Sequence, residues 1–154
     1  MTAEAAITRV IHRLKTLTLT PQYSIAISFD IEAAFDSMLY QAILNNAKHL
    51  HLPPYIQNLL HSYLHNHIVE YNGIHYTPEK GCPQGSVLGP QIWNIGYDRV
   101  LQVLSTLGHT TCFADDTLVI LSAPTLEHLQ HKFELLMEIY THLLSTIAVK
   151  LNIH

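Results

Sequence analysis

The stretch Cys112-Phe113-Ala114-Asp115-Asp116-Thr117-Leu118-Val119-Ile120 sets two adjacent carboxylates in an otherwise apolar run. Its aromatic and β-branched flanks predict two strands joined by a tight turn, with both acids at the tip. Packing gives no reason for them, because an unpaired buried carboxylate is expensive and two neighbours repel. A solvated turn tolerates them, since Asp is a common turn residue; a multivalent cation seated on the tip makes use of them. A second run, Ile25-Ala26-Ile27-Ser28-Phe29-Asp30, is strand-like and also ends on a carboxylate, with Ile31-Glu32-Ala33-Ala34-Phe35-Asp36 after it. Asp30 alone reads as a helix cap following a strand. With Asp115 and Asp116 it makes three carboxylates on two strand ends, which suggests a two-metal site. Glu32 and Asp36 read as structural acids of a first helical turn and stay outside that set.

Adjacent side chains of a strand point to opposite faces, so Asp115 and Asp116 share one cation cluster only if the turn rotates one of them round. The two are expected to be inequivalent, with Asp115 joining Asp30 as a primary ligand and Asp116 closer to solvent in an accessory role. Hard carboxylate oxygens without His or Cys beside them favour Mg²⁺ or Mn²⁺ over Zn²⁺. Two such ions, about 3.5 to 4 Å apart, suit an in-line displacement at phosphorus, activating the attacking oxygen and stabilising the leaving one.

The 154 residues are the size of one domain, and a hydrophobic content of 48% suffices for a packed core. Net charge is −4, with 8 Lys plus Arg, which argues against a free-standing nucleic-acid binder because phosphate contacts need a basic surface. The 12 His add positive charge only as the pH falls toward about 6.5. Cys82 and Cys112 lie far apart without metal-ligand spacing, so no disulfide framework is implied and a reducing, intracellular setting is the expectation. No run approaches the roughly 20 apolar residues of a membrane span. The first residues, with Glu4, Arg9, Arg13 and Lys15, lack the continuous apolar block of a secretion signal.

Around the acidic segments, periodicity predicts a helix from Thr2 to about Leu19 with Ala6, Val10, Leu14 and Leu17 in register, a strand from about Tyr23 to Ile31, and a helix from Phe35 to about Leu50. Pro53-Pro54 breaks the chain before a short helix, Tyr55 to His65. Ile68 to Tyr76 reads as a hairpin around Asn72-Gly73. A Gly/Pro-rich loop runs to Pro90, and a helix from about Gln91 to Leu107 turns Ile92, Ile95, Val100, Val103, Leu104 and Leu107 inward. After the acidic hairpin come a long helix, Thr125 to about Ile147, and the start of a further strand from Ala148. The expected class is α+β, an antiparallel sheet with helices packed on one face and the acids on its open face. His61 and His65, at i and i+4 with His67 following, invite a Zn²⁺ reading, but no acidic partner of the His-Glu-x-x-His kind accompanies them.

The loop Gly81-Cys82-Pro83-Gln84-Gly85-Ser86-Val87-Leu88-Gly89-Pro90 adds a substrate surface. Gly85 permits close backbone approach, Gln84 offers an amide that both donates and accepts, and Gly89-Pro90 sets up a helix start. Three segments in order, Phe29-Asp30 with Ala34-Phe35-Asp36, then Pro83 to Pro90, then Phe113-Ala114-Asp115-Asp116, resemble motifs A, B and C of the reverse transcriptase palm. The Phe-Ala-Asp-Asp form is that of non-LTR (LINE-type) retrotransposons.

The resemblance implies a polymerase palm-type fold over residues 1–154: the end of the fingers plus the palm, motifs A to C, and a truncated motif D beginning at Lys150-Leu151-Asn152. It implies Asp30, Asp115 and Asp116 as catalytic ligands of two Mg²⁺ or Mn²⁺ ions. Phe35, five residues after Asp30, would be the steric gate against a ribose 2′-OH, where an aromatic on a helical face is otherwise core. Gln84 and Gly85 would line the nucleotide and template pocket. The reaction would be attack of a DNA primer 3′-OH on the α-phosphate of a dNTP, directed by an RNA template, in a nuclear setting where nicked chromosomal DNA is the primer. The same resemblance marks fingers and thumb as largely missing, with 29 residues before Asp30, and an endonuclease region as absent. The alternative expectation is a catalytically inactive truncated remnant acting as a folded interaction domain. A metal-dependent phosphodiesterase or an RNA-templated RNA polymerase is a third, and Phe35 and the Phe-Ala-Asp-Asp form speak against the RNA polymerase.

Overall fold

The computed structural model describes residues 3–66, 68–82 and 85–152. In chain order its elements are α1 (Ala3–Thr18), β1 (Tyr23–Phe29), β2 (Ile31–Glu32), α2 (Ala34–Ser37), α3 (Tyr40–His49), α4 (Pro54–His65), β3 (Val69–Tyr71), β4 (Ile74–Tyr76), α5 (Gly89–Leu107), β5 (His109–Phe113), β6 (Asp116–Ala123), α6 (Leu126–Thr146) and β7 (Lys150–Leu151). They fall into two compact units: Met1–Glu32 with Val100–Ser145 and Lys150–His154, and Ala33–Arg99 with Thr146–Val149.

The first unit is built on a three-stranded antiparallel sheet in the order β1-β6-β5. Central strand β6 buries Val119, Ile120 and Leu121 in succession, so both its faces are covered there. One cover is α6, which turns Leu129, Leu136, Tyr140 and Leu144 inward and sets the Tyr140 ring 4.3 Å from Phe29 of β1. Each such fully buried large side chain contributes roughly 1.5–3 kcal/mol. The helix starts at Thr125, whose Oγ1 accepts from the His128 N–H at 3.3 Å, satisfying one of the orphan donors of the first turn. Strand β1 lies at the sheet edge, with Tyr23 and Ile25 exposed. In α1, Ala6 and Leu17 are buried as the spacing predicts, whereas Val10 is half-buried and Leu14 is exposed.

In the second unit the expected single helix from Phe35 to Leu50 is two helices. Met38 (φ −66, ψ 128) and Leu39 (φ −66, ψ 137) are extended between α2 and α3. The helical hydrogen bonds given up are remade elsewhere: Leu39 N–H donates to Ile147 O (3.3 Å) and Tyr40 N–H to Glu79 O (3.0 Å). A two-residue break hardly disturbs apolar spacing, so periodicity alone reads through it. Met38, Ile43, Leu64, Trp93 and Tyr97 form the core, with the Trp93 and Tyr97 rings stacked at 5.1 Å. Gly96 allows α5 this close to α2 and α3, since a Cβ there would run into Met38 Sδ, and buried Asn46 donates to the Gly96 carbonyl at 2.6 Å. The β3–β4 hairpin turns on Asn72 and Gly73, both at positive φ (53 and 75), the requirement of a type I′ turn.

Candidate active site at the acidic hairpin

Strands β5 and β6 are joined by Ala114-Asp115 alone, with Phe113 paired to Asp116 across the turn. Ala114 has φ 54, and Asp115 is not in the positive region. Positive φ at the first central residue only is the type II′ pattern, whose twist matches that of the flanking strands. Asp115 is half-buried, whereas Asp116 and Asp30 are exposed.

The β1–β6 pairing runs to Phe29↔Thr117, and one residue further the two strand ends carry Asp30 and Asp116. Thr117 is 1% exposed; its hydroxyl lies 3.7 Å from Cys112 Sγ, which in turn reaches the Ala114 carbonyl at 3.2 Å and ties the turn down. Burial pushes the Cys112 thiol up, Thr117 opposes this, and the charges of Asp115 and Asp116 add to it. The thiol therefore remains a proton donor. On the other side of Asp30, β2 pairs with β7 through Ile31↔Leu151 and Glu32↔Lys150. Beyond that ladder Asn152 donates its N–H to Asp30 O (3.0 Å) and its side-chain amide to Asp30 Oδ2 (2.8 Å).

Three carboxylates supply the hard oxygens that suit Mg²⁺ or Mn²⁺, and the strand register brings the ends that carry them together. Among the described residues, no group of three His, Cys, Asp or Glu side chains stands close enough to ligate one ion. The donor chemistry fits the ions, while the side chains as they stand leave the ligand group open. The same holds for the histidine reading: the rings of His61 and His65 stack at 4.2 Å, and His65 Nδ1 is engaged with the His61 carbonyl at 3.0 Å.

The remaining sequence candidates belong to the second unit. Phe35 sits in α2, half-buried, with its ring 5.5 Å from Trp93. The start of the glycine-rich loop lies against the same helix: Cys82 N–H donates to Phe35 O (2.6 Å) and Gly81 N–H to Met38 O (2.9 Å). Gly81 has φ +87, and a Cβ there would meet Asp36 O at 3.0 Å, so glycine is required on two counts. Gly85, at φ +78 with open space around it, is exposed. Ser86 anchors the loop by a 2.6 Å hydrogen bond with the Tyr63 hydroxyl. Gln84 lies outside the described residues. Sequence reasoning missed the contact of Asn152 with Asp30 and the Thr117–Cys112–Ala114 tie; it had Asn152 only as part of the Lys150-Leu151-Asn152 run that resembles the start of motif D.

Residues 2–152 match the reverse transcriptase (RNA-dependent DNA polymerase) family. Over 122 residues, 77% of the chain, it is 30% identical to a 115 kDa protein in the type-1 retrotransposable element R1DM of Drosophila melanogaster, of which it covers 12%. It is 28% identical over 107 residues to a retrovirus-related Pol polyprotein from the type-1 retrotransposable element R1 of Bradysia coprophila, covering 66% of this chain and 10% of that protein. The chain thus spans about a tenth of the length of these relatives. In fold it resembles apo telomerase from Candida tropicalis truncated from its C-terminal domain, with a TM-score of 0.70 and 17% identity over 99% of this chain and 34% of the other. An acidic strand-turn-strand beside a carboxylate-ended strand, in a fold shared with telomerase and a sequence shared with R1 elements, places the chain in the reverse transcriptase (RNA-dependent DNA polymerase) family, on its non-LTR, LINE-type branch.

Proposed function

We propose that this chain is the catalytic palm of an RNA-directed DNA polymerase, which joins a dNTP to the 3′-OH of a DNA primer on an RNA template. The observation that carries the reading is the register of β1 against the β5–β6 hairpin, which leaves Asp30 and Asp116 at adjoining strand ends with Asp115 in the β5–β6 turn. In this reading Asp30 and Asp115 are primary ligands of two Mg²⁺ or Mn²⁺ ions and Asp116 is accessory. Such ions activate an attacking hydroxyl and offset charge on the transferred phosphate. Phe35, braced by Trp93, is the gate that rejects a ribose 2′-OH, and Gln84 and Gly85 border nucleotide and template. Priming from nicked chromosomal DNA puts this activity in the nucleus.

Extension of a DNA primer on an RNA template tests the proposal. The chain is expected to extend the primer in Mg²⁺ or Mn²⁺, and Asp30→Asn or Asp115→Asn to lower the rate at least about 100-fold by removing a metal ligand. Extension indifferent to both variants overturns the site. In an extending enzyme, Phe35→Ala is expected to admit ribonucleotides. A chain that extends nothing and binds neither ion answers instead to the alternative, an inactive remnant acting as a folded interaction domain.

A further inference from the structure

The first unit carries a second site, opposite in charge to the hairpin tip. At the far end of the β5–β6 hairpin is a cavity of about 510 Å³ lined by Arg13 of α1, His109 at the start of β5, Lys132 of α6, and the hydroxyl-bearing Ser105, Thr106 and Thr110. Among the described residues no acid lines it. For a chain with 8 Lys plus Arg and a net charge of −4, two cations and an imidazole in one acid-free cavity is a concentration of positive charge that the overall composition does not produce. Two of its nitrogens lack partners, since Arg13 Nε and His109 Nε2 are both buried without a hydrogen bond. Each such group left unsatisfied costs roughly 1–3 kcal/mol. Lys132 Nζ is tethered to the Ser122 carbonyl at 2.9 Å, which uses one of its three protons. Burial first, and then the charges of Arg13 and Arg9, hold the His109 imidazole below its ordinary range, so it stands neutral beside the two cations. An anion in the cavity gives Arg13 and Lys132 the counter-charge that its lining lacks.

We propose that this cavity binds a phosphodiester of a polynucleotide strand. A guanidinium and an ammonium beside several hydroxyls match phosphate oxygens, which accept charge-assisted and neutral hydrogen bonds together. From His109 to Phe113 the hairpin runs four steps of roughly 3.4 Å each, about 14 Å, so the phosphate held here is not one that reacts at the acidic tip. The cavity is a positioning contact that takes hold of a strand away from the carboxylates that repel it. The choice of a polynucleotide over an acidic protein segment rests on the reading of the chain as a polymerase palm.

The test is the binding of a short, labelled single-stranded RNA oligonucleotide, read by fluorescence anisotropy in EDTA without dNTP over a range of salt concentrations. Arg13→Gln with Lys132→Gln is expected to weaken binding about 10-fold or more and to flatten the slope of log affinity against log salt by about 0.7, the contribution of one phosphate contact on a single strand. Lys48→Gln, which removes an exposed cation of the other unit, is expected to change neither. Equal affinity and slope in the double variant overturn the proposal, as does a polyglutamate peptide that binds the cavity while the RNA does not. If the double variant does not melt cooperatively, Lys132→Gln alone carries the test with weaker binding and a flatter slope, by up to about 0.7, because Lys132 is exposed and outside the core. The readout involves no catalysis, so a failure of primer extension and a failure of this site are separate results.

Discussion

Asn152 grips Asp30 twice, through its main-chain N–H to the Asp30 carbonyl at 3.0 Å and its side-chain amide to Asp30 Oδ2 at 2.8 Å. The two bonds extend the β2–β7 pairing by one step past Ile31↔Leu151. One carboxylate oxygen is thereby oriented by a neutral donor while Oδ1 stays open. A carboxylate already held in one rotamer loses less side-chain entropy when it binds an ion, and hydrogen bonds of this kind orient metal ligands generally.

Substitution at Asn152 is therefore expected to act on metal binding as well as on stability. Asn152→Ala keeps the main-chain bond and removes the amide, so it should lower stability by about 0.5–1.5 kcal/mol and weaken Mg²⁺ binding roughly 10- to 100-fold. Asn152→Asp sets a second acid against Asp30, so its metal-free form should melt lower and gain more from Mg²⁺ than the unaltered chain does. Melting curves with and without Mg²⁺ separate the two variants. The same Mg²⁺ gain in both would make Asn152 a purely structural residue.

The acidic tip itself should respond to divalent ions. Mg²⁺ or Mn²⁺ binding to the folded chain alone raises stability by about 2.7 kcal/mol at a hundred times the dissociation constant. Asp115→Asn is expected to shrink that gain and to raise the metal-free melting temperature slightly, since it removes one of two repelling neighbours. Calorimetric scans of both chains in EDTA and in excess metal check this, and a melting temperature indifferent to both ions would remove the site.

Ala114 occupies a turn position that favours glycine, with φ 54. Left-handed backbone costs a non-glycine residue roughly 1–2 kcal/mol, and the entropy glycine loses on folding offsets about 0.5–1 kcal/mol of any relief. Ala114→Gly should thus leave stability unchanged or raise it by up to about 1.5 kcal/mol, whereas β-branched Ala114→Val should lower it by about 1–2 kcal/mol. Urea titration of both variants checks the sign, and an Ala114→Val chain as stable as the original would argue against the type II′ turn.

The strands that carry the acids were legible because apolar and β-branched runs ending on Asp30 and beginning at Asp116 have few other readings, and Asn72-Gly73 marked its hairpin by turn chemistry alone. The break at Met38-Leu39 was not, because its replacement hydrogen bonds go to Ile147 and Glu79, far away in sequence. The clasp of Asn152 on Asp30 and the cavity of Arg13, His109 and Lys132 escaped for the same reason. Each joins residues that only tertiary packing brings together. Residue types showed which side chains could bind metal, but whether the carboxylates close on an ion depends on rotamers and counter-charge, which no spacing encodes.

Cys82 provides a probe of the loop beside Phe35 that is independent of catalysis. Burial, with the nearby charge of Asp36 adding to it, pushes its thiol up to about 11, against roughly 8.5 for an unfolded cysteine. The unfolded chain therefore loses this proton first. The stabilising contribution of the neutral buried thiol is complete below about pH 8.5 and is lost as the pH rises toward 11, at no more than about 1.4 kcal/mol per pH unit. Tyr40, whose hydroxyl is also raised by burial, shifts stability in the same direction but from about pH 10 upward. Denaturation profiles between about pH 8.5 and 10 should accordingly fall for the unaltered chain and run flatter for Cys82→Ala, whatever the offset in absolute stability. Over the same range iodoacetamide should label Cys82 far more slowly than an unfolded control, because the thiolate is the reactive form. Parallel pH profiles for the two chains, or rapid labelling near pH 8, would mean that the Gly81–Cys82 segment does not stay packed under the Phe35 helix.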